Sequence, residues 1–422
     1  MEKQVYQNYI AILEHELIEA TGCTEPIAIA YAGARARAVL GREPERCLVR
    51  CSGNIVKNVK GVVVPASGGR RGIEAAAILG IVGGDPDRRL EVLQDITPAN
   101  REKMEQLLAE GFCRCQLAEG VENLYIDLTL YAGEEWAEVL IQDTHTHIAR
   151  IIKNGQLVEE NELAQQMAEP DKSCLNIRQI LEFGDTAELA DVKDLIEKQI
   201  HCNETISKEG LSSAWGACVG QTLLRSAKAG DLKARACAAA AAGSDARMAG
   251  CALPVVINSG SGNQGITVSL PLLTYAEAYE IPREKLIRSL CVANLISVHQ
   301  KKYIGRLSAY CGVVSAACAA ACGIAYMLDD PYEVIARTIT NTICTVGGIV
   351  CDGAKSSCAA KIAASLNAAL TAWEMARSGL AFQPGEGLVG KDVEETIAKV
   401  GTMGREGMKE TDVRILKLML GE

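Results

Sequence analysis

The run Leu307-Ser-Ala-Tyr-Cys-Gly-Val-Val-Ser-Ala-Ala-Cys-Ala-Ala-Ala-Cys-Gly-Ile-Ala-Tyr-Met-Leu328 contains no charged residue. It is long enough to cross a membrane. However, it is rich in Ala, Gly, Ser and Cys rather than in Leu and Phe, and the chain has no matching spans or aromatic belts. We therefore interpret the run as a central helix that is buried in a folded domain, and we expect no membrane association.

Helical periodicity extends to both sides of this run. It predicts helices at about 210–229, 231–242, 275–281, 283–300, 307–328, 331–342, 355–378 and 391–400. Breaks are expected at 243–248 and 258–265. Because helical patterns dominate after Pro170 and Lys172, the predicted division is an α/β domain at 1–200 and a mostly helical domain at 201–422.

The first part of the chain contains apolar patterns with helical periodicity and others with strand periodicity. Helices are predicted at 2–21, from Thr24 to Leu40, at 73–82 and near 100–110. Strands are predicted at 47–52, 61–65, 90–93, 113–117, 124–131, 138–142 and 144–152, with a hairpin turn at Asn154-Gly155. The predicted fold class is α+β, with a small sheet in an N-terminal mixed α/β half and a mostly α-helical C-terminal domain.

Composition excludes several classes of protein. The 422 residues are 48% apolar and 23% charged, as in ordinary globular proteins, and their net charge is −10 without a basic stripe. We therefore expect no nucleic-acid partner. The 17 cysteines and the lack of a visible signal peptide predict a reducing compartment and hence a cytoplasmic protein.

A second stretch, Cys344-Thr-Val-Gly-Gly-Ile-Val-Cys351-Asp-Gly-Ala-Lys-Ser-Ser-Cys358, carries a candidate metal site. Cys351 and Cys358 are seven residues apart, and Cys311 lies 40 residues before Cys351. Three thiolates from two segments could hold three corners of an iron–sulfur cluster and leave one iron open for a substrate. In a chain so rich in cysteine, chance spacing is the alternative.

Cys23 precedes a predicted helix that Thr24 can cap. The unpaired N–H groups and the dipole of a helix N-terminus lower the pKa of a thiol, so Cys23 could serve as a thiolate. A buried loop cysteine is the equal alternative.

Two further segments have both a functional and a structural interpretation. The segment Asn258-Ser-Gly-Ser-Gly-Asn-Gln-Gly265 could form a backbone-lined pocket for a small carboxylate, or an interhelical loop that needs positive φ. His145 and His147 would alternate on one strand face and could bind a metal, but no third ligand is nearby and a hydrogen-bonded or exposed pair is favoured.

Taken together, these segments resemble the L-cysteine desulfidases of the iron–sulfur serine dehydratase α-chain group. The resemblance covers nearly the whole chain. Its motifs are Gly22-Cys-Thr-Glu-Pro-Ile27, Asn54 with Lys57-Asn58, Gly243-Ser-Asp-Ala-Arg-Met248, Asn258-Ser-Gly-Ser-Gly-Asn-Gln-Gly-Ile266, Arg306-Leu-Ser-Ala-Tyr-Cys311 and Ile349-Val-Cys-Asp-Gly-Ala-Lys-Ser-Ser-Cys358.

The resemblance implies a [4Fe–4S] cluster held by Cys311, Cys351 and Cys358, which aerobic preparation can remove, and Cys23 as the proton acceptor. It implies a lyase without pyridoxal phosphate that degrades L-cysteine to sulfide, ammonia and pyruvate by β-elimination. Candidates for holding the substrate's carboxylate and amine are Ser52, Asn54, Lys57, Ser259, Ser261, Asn263 and Gln264. Direct proton transfer requires Cys23 to lie within about 10 Å of the three cluster cysteines.

Some details depart from the family pattern or stay open. Cys318, Cys322 and Cys344 could compete for iron, and His145-Thr-His147 stands where relatives have His-Thr-Asn. Arg247 could hold the carboxylate or pair with Asp245, and we favour the pair.

Three functions remain. The first is the cysteine lyase, the second is an iron–sulfur L-serine dehydratase, and the third is a non-catalytic metal-binding or redox-sensing protein. The expected partner is a small amino-acid substrate, and homo-oligomer formation stays open.

Overall fold

The computed structural model describes residues 1–21, 24–162, 169–305 and 308–421. Within these ranges the chain is mostly helical, and its N-terminal half contains a six-stranded mixed sheet. The predicted α+β class is therefore confirmed.

The N-terminal half alternates helices and strands. In chain order these are α1 (Lys3–Glu16), β1 (Glu19–Thr21), α2 (Thr24–Leu40), β2 (Arg46–Ser52), α3 (Gly53–Val59), α4 (Ile73–Gly83), α5 (Pro98–Ala109), β3 (Cys113–Ala118), β4 (Tyr125–Ala132), β5 (Glu135–Gln142), β6 (Ile148–Lys153) and β7 (Gln156–Glu160). A short 3-10 helix, Pro86–Glu91, lies between α4 and α5.

The large sheet has the strand order β3-β2-β4-β5-β6-β7. Strand β2 is parallel to β3, and the other neighbours are antiparallel. Val49, Leu128, Val139 and Ile151 stand opposite one another on a single face and are fully buried. Helices α2 and α4 cover this face, because alternating apolar residues in the strands must be shielded from water.

The rest of the chain is nearly all helix. Its elements are α6 (Ile177–Thr186), α7 (Leu189–Ser212), α8 (Val219–Ser226), α9 (Leu232–Met248), β8 (Pro254–Val256), α10 (Gly262–Ala278), α11 (Arg283–Ile304), α12 (Val313–Met327), α13 (Tyr332–Val346), α14 (Ser357–Arg377), α15 (Val393–Thr402) and α16 (Lys409–Leu420).

Helix α12 lies within the uncharged run of the sequence and is buried on all sides, but it begins at Val313 and not at the predicted residue 307. It packs against α10, α11, α13 and α14, and its alanines and cysteines are inaccessible to solvent. The prediction of a buried central helix is confirmed. No helix in the described ranges has the length and apolar character needed to cross a bilayer.

A small second sheet joins a segment near the N-terminus to the helical half of the chain. Strand β1 pairs antiparallel with β8, with Glu19 opposite Val256 and Thr21 opposite Pro254. The ladder continues as the N–H of Ile257 donates to the carbonyl of Ile18 at 2.9 Å. The chain just before residue 22 is thereby fixed beside the segment that leads into α10.

Several predicted strands are wrong. Residues 61–65 contain only an isolated bridge between Val63 and Arg71, and residues 90–93 form the end of the short 3-10 helix and the turn after it instead of a strand. Both places contain apolar residues that are buried without being in a strand, among them Val64 and Val92. A short apolar run has the same pattern whether it lies in a strand or in a buried loop.

The predicted strand at 144–152 begins only at Ile148, so His145 and His147 lie in the preceding turn and not on a strand face. Predicted helix limits also change. The first helix ends at Glu16, the helix predicted at 210–229 is divided between α7 and α8, and the helix predicted at 275–281 begins at Gly262.

The break predicted at 243–248 is absent, because these residues form the last turns of α9. Gly243 does not interrupt the helix but lets α10 approach, since a Cβ at this position would lie 3.2 Å from Ile266. The two-domain division near residue 200 stays a prediction, and helix α7 runs through that position.

Candidate functional site

Two separate segments meet at Cys311 and Cys351. The N–H of Cys311 donates to the carbonyl of Ile349 at 2.9 Å, and the N–H of Cys351 donates to that of Ala309 at 2.6 Å. Between them, Tyr310 and Val350 form an antiparallel bridge. This short ladder aligns the two cysteines, and the thiol of Cys311 hydrogen-bonds to that of Cys351.

Cys358 joins this pair from the first turn of α14. Its N–H donates to the carbonyl of Lys355 at 2.9 Å, and its Sγ lies 3.6 Å from the carbonyl oxygen of Gly353. It interacts electrostatically with both Cys311 and Cys351. The three cysteines that the sequence singled out therefore come together.

The turn between Cys351 and Cys358 requires glycine at position 353. Gly353 has φ of +93°, and a Cβ there would lie 1.8 Å from the carbonyl oxygen of Lys57. A side chain would be strained and would also clash with the backbone of α3. The cysteine loop is thus fitted directly against the N-terminal half.

Three lysines surround the thiols. The ammonium of Lys57 is buried and pairs with Asp412, and that of Lys361 bonds to the carbonyl of Val350 at 2.7 Å and to Asp352. Lys301 is buried and donates to the carbonyl of Gly305 at 2.7 Å. Positive charge is therefore concentrated around the three thiols.

The two contacting thiols differ in acidity. The pKa of Cys351 is lowered to about 5, first by the hydrogen bond from Cys311 and then by the positive charges of Lys57 and Lys361, although burial acts in the opposite direction. The same hydrogen bond, together with burial, raises the pKa of Cys311. Burial lowers the pKa of Lys301, while the two thiols act to raise it.

Helix N-termini add to this field. Helix α12 begins two residues after Cys311, and Cys358 lies in the first turn of α14. Helix α10 also starts here, because Gln264 in its first turn lies against Gly312, where a Cβ would come within 2.6 Å of the Gln264 amide. Each helix N-terminus carries partial positive charge that favours bound anions.

The segment before α10 is held by a buried amide network. Asn258 donates to Asn294 Oδ1 at 3.0 Å and accepts from the hydroxyls of Ser297 and Ser259, each at 2.9 Å. Ser259 has φ of +49°, so the expected positive φ is present. The N–H of Ser261 donates to the carbonyl of Asn258 at 3.0 Å and closes a tight turn.

Among the other predicted substrate contacts, Ser52 and Asn54 have local hydrogen bonds. Ser52 caps α3 through the N–H of Ile55 at 3.5 Å and donates to the carbonyl of Asn123 at 2.7 Å. Asn54 accepts from Asn58 at 3.0 Å. These bonds hold α3, which carries Lys57, in place. A substrate-binding role for the two side chains stays a prediction.

Cys23 lies outside the described residues, so its predicted distance from the other cysteines stays a prediction. The described chain on its C-terminal side begins α2 with Thr24, whose hydroxyl is 3.1 Å from Nε2 of His145. Burial lowers the pKa of His145. The ring nitrogens of His147 face the carbonyls of Gln142 and Asn161 at 3.1 and 3.2 Å, as expected for a hydrogen-bonded histidine.

The structure also shows the surroundings of Asp245 and of the cysteines in α12, which the sequence had singled out. The carboxylate of Asp245 accepts from the N–H of Gly220 at 2.9 Å, and burial raises its pKa to about 6. It therefore anchors the start of α8. Cys318 and Cys322 are fully buried one turn apart in α12, with their thiols in contact.

Sequence reasoning missed Lys301, Lys361 and Asp412. One signal for Lys301 was present, since it continues at helical spacing the buried stripe of Leu290, Asn294 and Ser297. A lysine on such a stripe needs a buried anionic partner. Asp412 gave no local signal, because its contact with Lys57 spans 355 residues of sequence.

No three His, Cys, Asp or Glu side chains in the described ranges lie close enough to bind one metal ion. An iron–sulfur cluster distributes its thiolate ligands over several irons, so the ligands need not approach one point. The thiols of Cys311, Cys351 and Cys358 are the ligand type that an iron–sulfur cluster requires. The positive charges of the surrounding lysines would complement the negative charge of such a cluster.

Comparison with known proteins gives one matching family model and several similar relatives. The family model described as serine dehydratase alpha chain matches residues 87–417. A UPF0597 protein of Lachnoclostridium phytofermentans is 48% identical over 417 residues, which cover 99% of this chain and 100% of the relative. A UPF0597 protein of Treponema denticola is 44% identical over 429 residues, covering 100% and 99%. One of Chromobacterium violaceum is 36% identical over 427 residues, covering 99% and 98%.

Proposed function

Because the chain belongs to the serine dehydratase alpha chain family and is closely related to UPF0597 proteins, we propose that it is an iron–sulfur-dependent β-eliminating lyase. Its proposed substrate is a small L-amino acid with a leaving group on Cβ, first of all L-cysteine. Elimination of sulfide gives aminoacrylate, which tautomerises and takes up water. The products are sulfide, ammonia and pyruvate.

The observation that carries this proposal is the meeting of three thiols among three lysines. Cys311, Cys351 and Cys358 would hold a [4Fe–4S] cluster. When bound, the cluster supplies an iron without a protein ligand, which is a Lewis acid for a thiol or hydroxyl leaving group. Cluster-binding cysteines must be thiolates, and Lys57, Lys301 and Lys361 supply the charges that stabilise thiolates.

The chain's own groups have separate roles in the proposed reaction. Lys57 and Lys301 offset negative charge in a buried site, where it would otherwise be costly. The burial of Cys311 and its neighbours keeps water away from the reacting groups. Cys23 remains our proposed acceptor of the Cα proton, since it directly precedes helix α2.

L-Serine is the second candidate substrate, and the name of the matching family favours it. With serine, water leaves instead of sulfide, and the products are pyruvate and ammonia. The two substrates share the same headgroup and differ in the leaving atom. Only turnover measurements distinguish them.

The test uses the full chain, reconstituted anaerobically with iron and sulfide. We expect about four irons per chain and sulfide release from L-cysteine. Cys351→Ala should lose both, whereas Cys115→Ala, a half-buried cysteine in the large sheet, should keep both. Pyruvate from L-serine without sulfide from L-cysteine would assign the dehydratase. Failure to retain iron, with neither product formed, would overturn the proposal.

A further inference from the structure

Two pairs of thiols lie between strands β2 and β3 of the large sheet, and none of them belongs to the site described above. Cys47, Cys51, Cys113 and Cys115 are free thiols, and the register of the two parallel strands puts all four on the same face. The thiol of Cys47 is hydrogen-bonded to that of Cys113, and the thiol of Cys51 to that of Cys115. Glu74 of α4 interacts electrostatically with Cys51 and Cys113, so the four thiols lie on the face that this helix covers.

The strand register distinguishes the two pairs. Cys47 stands directly opposite Cys113, whereas Cys51 and Cys115 are offset from each other by two residues. Neighbouring strands are about 4.8 Å apart, so the Cα atoms of the first pair fall within the range of about 4.4–6.8 Å that disulfides span. An offset of two residues adds about 6.6 Å along the strand, which separates the Cα atoms of the second pair by about 8 Å. A disulfide therefore fits the first pair and would require backbone movement in the second.

The first pair lies where the sheet can open. Strand β3 stands at the end of the strand order, and Cys113 is its first residue and is 7% exposed. An edge strand is hydrogen-bonded to one neighbour only, so it opens at a lower free energy than a central strand. The hydrogen bond with Cys47 and burial raise the pKa of Cys113, so its oxidation at neutral pH is slow and follows such opening.

We propose that Cys47 and Cys113 form a redox-sensitive lock of the large sheet, which a peroxide closes to a disulfide, whereas Cys51 and Cys115 do not bridge each other. The two thiols together lose two protons and two electrons, and a sulfur–sulfur bond forms. The oxygen–oxygen bond of hydrogen peroxide breaks, and two molecules of water result. A thiol reductant reverses the step by thiol–disulfide exchange.

The lock encloses a segment that contributes to the thiol site. Residues 47 and 113 are 66 positions apart, and the chain between them contains α3, α4 and α5. A covalent link across so long a loop strongly restricts the open states of the chain. Because α3 carries Lys57, an oxidised chain keeps this helix beside the sheet. The inference goes beyond the proposed function and does not rest on it, since neither cysteine is a proposed cluster ligand.

Peptide mapping of the oxidised full chain tests the pairing. After treatment with hydrogen peroxide, the remaining thiols are alkylated in denaturant, and trypsin then places the four cysteines on separate peptides, 47–50, 51–57, 104–114 and 115–150. Mass spectrometry should find 47–50 joined to 104–114 at least about tenfold more often than 51–57 joined to 115–150. Dithiothreitol should separate the joined peptides. Absence of the first link, or an equal amount of the second, would overturn the proposal.

Hydrogen exchange measures the effect of the lock on β3. Oxidation should slow the exchange of the β3 amides at least about tenfold in the wild type and leave it unchanged in Cys47→Ala. Each oxidised sample is compared with its own reduced form, so a loss of stability from the substitution itself cancels. Cys51→Ala is the matched control, since it removes a buried thiol from the same strand and should respond to oxidation as the wild type does. Equal exchange in the oxidised and reduced wild type would show that the bridge does not restrain β3 and would exclude a lock.

Discussion

Lys301 is a buried ammonium, and its hydrogen bond to the carbonyl of Gly305 uses one of its three donors. A buried charge is tolerated only where an opposite charge offsets its desolvation. The acidic groups that raise the pKa of Lys301 include Cys351 and Cys311, with Glu16 making a smaller contribution. At the residue scale, Lys301 thus connects protein stability with the charge of the thiol site.

Replacing Lys301 with methionine should have opposite effects on two measurements. In cluster-free protein the free energy of unfolding should stay the same or rise by up to about 2 kcal/mol, because a buried charge is replaced by an apolar side chain. After anaerobic reconstitution the variant should retain less iron than the wild type. Lys301→Arg, which keeps the charge, is the control, and equal iron retention in Lys301→Met and the wild type would contradict the argument.

At the scale of the element, the loop from Cys351 to Cys358 is shaped by its contact with α3. Gly353 meets the carbonyl of Lys57 directly, and Asp352 holds Lys355 and Lys361. The loop therefore cannot take its shape without the neighbouring helix.

Alanine at position 353 tests this contact against a matched control. Gly353 and Gly385 have nearly equal φ, +93° and +94°, but a Cβ at Gly385 would meet nothing within 4 Å. Gly385→Ala should cost about 1 kcal/mol of unfolding free energy from backbone strain alone. Gly353→Ala should cost at least about 2 kcal/mol more, from the added clash. If urea denaturation gives equal losses of unfolding free energy for the two variants, the close contact between Gly353 and Lys57 does not add to the cost of the substitution.

Helix prediction succeeded where amphipathic or apolar runs are long, as in α11, α12 and α14, because burial and periodicity agree there. It failed at Gly243, since glycine and serine signal a break when considered locally. In the structure, close packing between α9 and α10 needs a residue without a side chain at that point. Tertiary packing outweighed local propensity.

At the scale of the whole molecule, α16 connects the last residues of the chain with its N-terminal half. Asp412 pairs with Lys57, and Leu416 lies against Gly53, where a Cβ would come within 2.5 Å. The Lys57 side chain is 7% exposed and that of Asp412 is 26% exposed. A contact so protected from water is stronger than an ordinary surface ion pair.

Asp412→Asn should therefore destabilise the protein by about 2 kcal/mol, because it leaves the ammonium of Lys57 buried without its counter-charge. Glu410→Gln is the matched control, since Glu410 lies in the same first turn of α16 but is exposed, and it should change the unfolding free energy by less than about 0.5 kcal/mol. Urea denaturation at neutral pH gives both values. Similar losses in the two variants would assign the effect to the helix dipole rather than to the pair.

The sequence by itself determined the α+β class and the buried central helix, because periodicity and charge-free runs are local properties. The choice of Cys311, Cys351 and Cys358 as cluster ligands came from the family resemblance and stays a prediction. Only the tertiary structure decided which groups surround those thiols. Lys57 and Asp412 are 355 residues apart in the sequence, and Lys301 reaches the site from a helix that ends before Cys311. The electrostatic field at a buried site is the sum of contributions from charges on segments that are distant in the sequence. A local sequence pattern therefore does not show which of these charges lie close together in the fold.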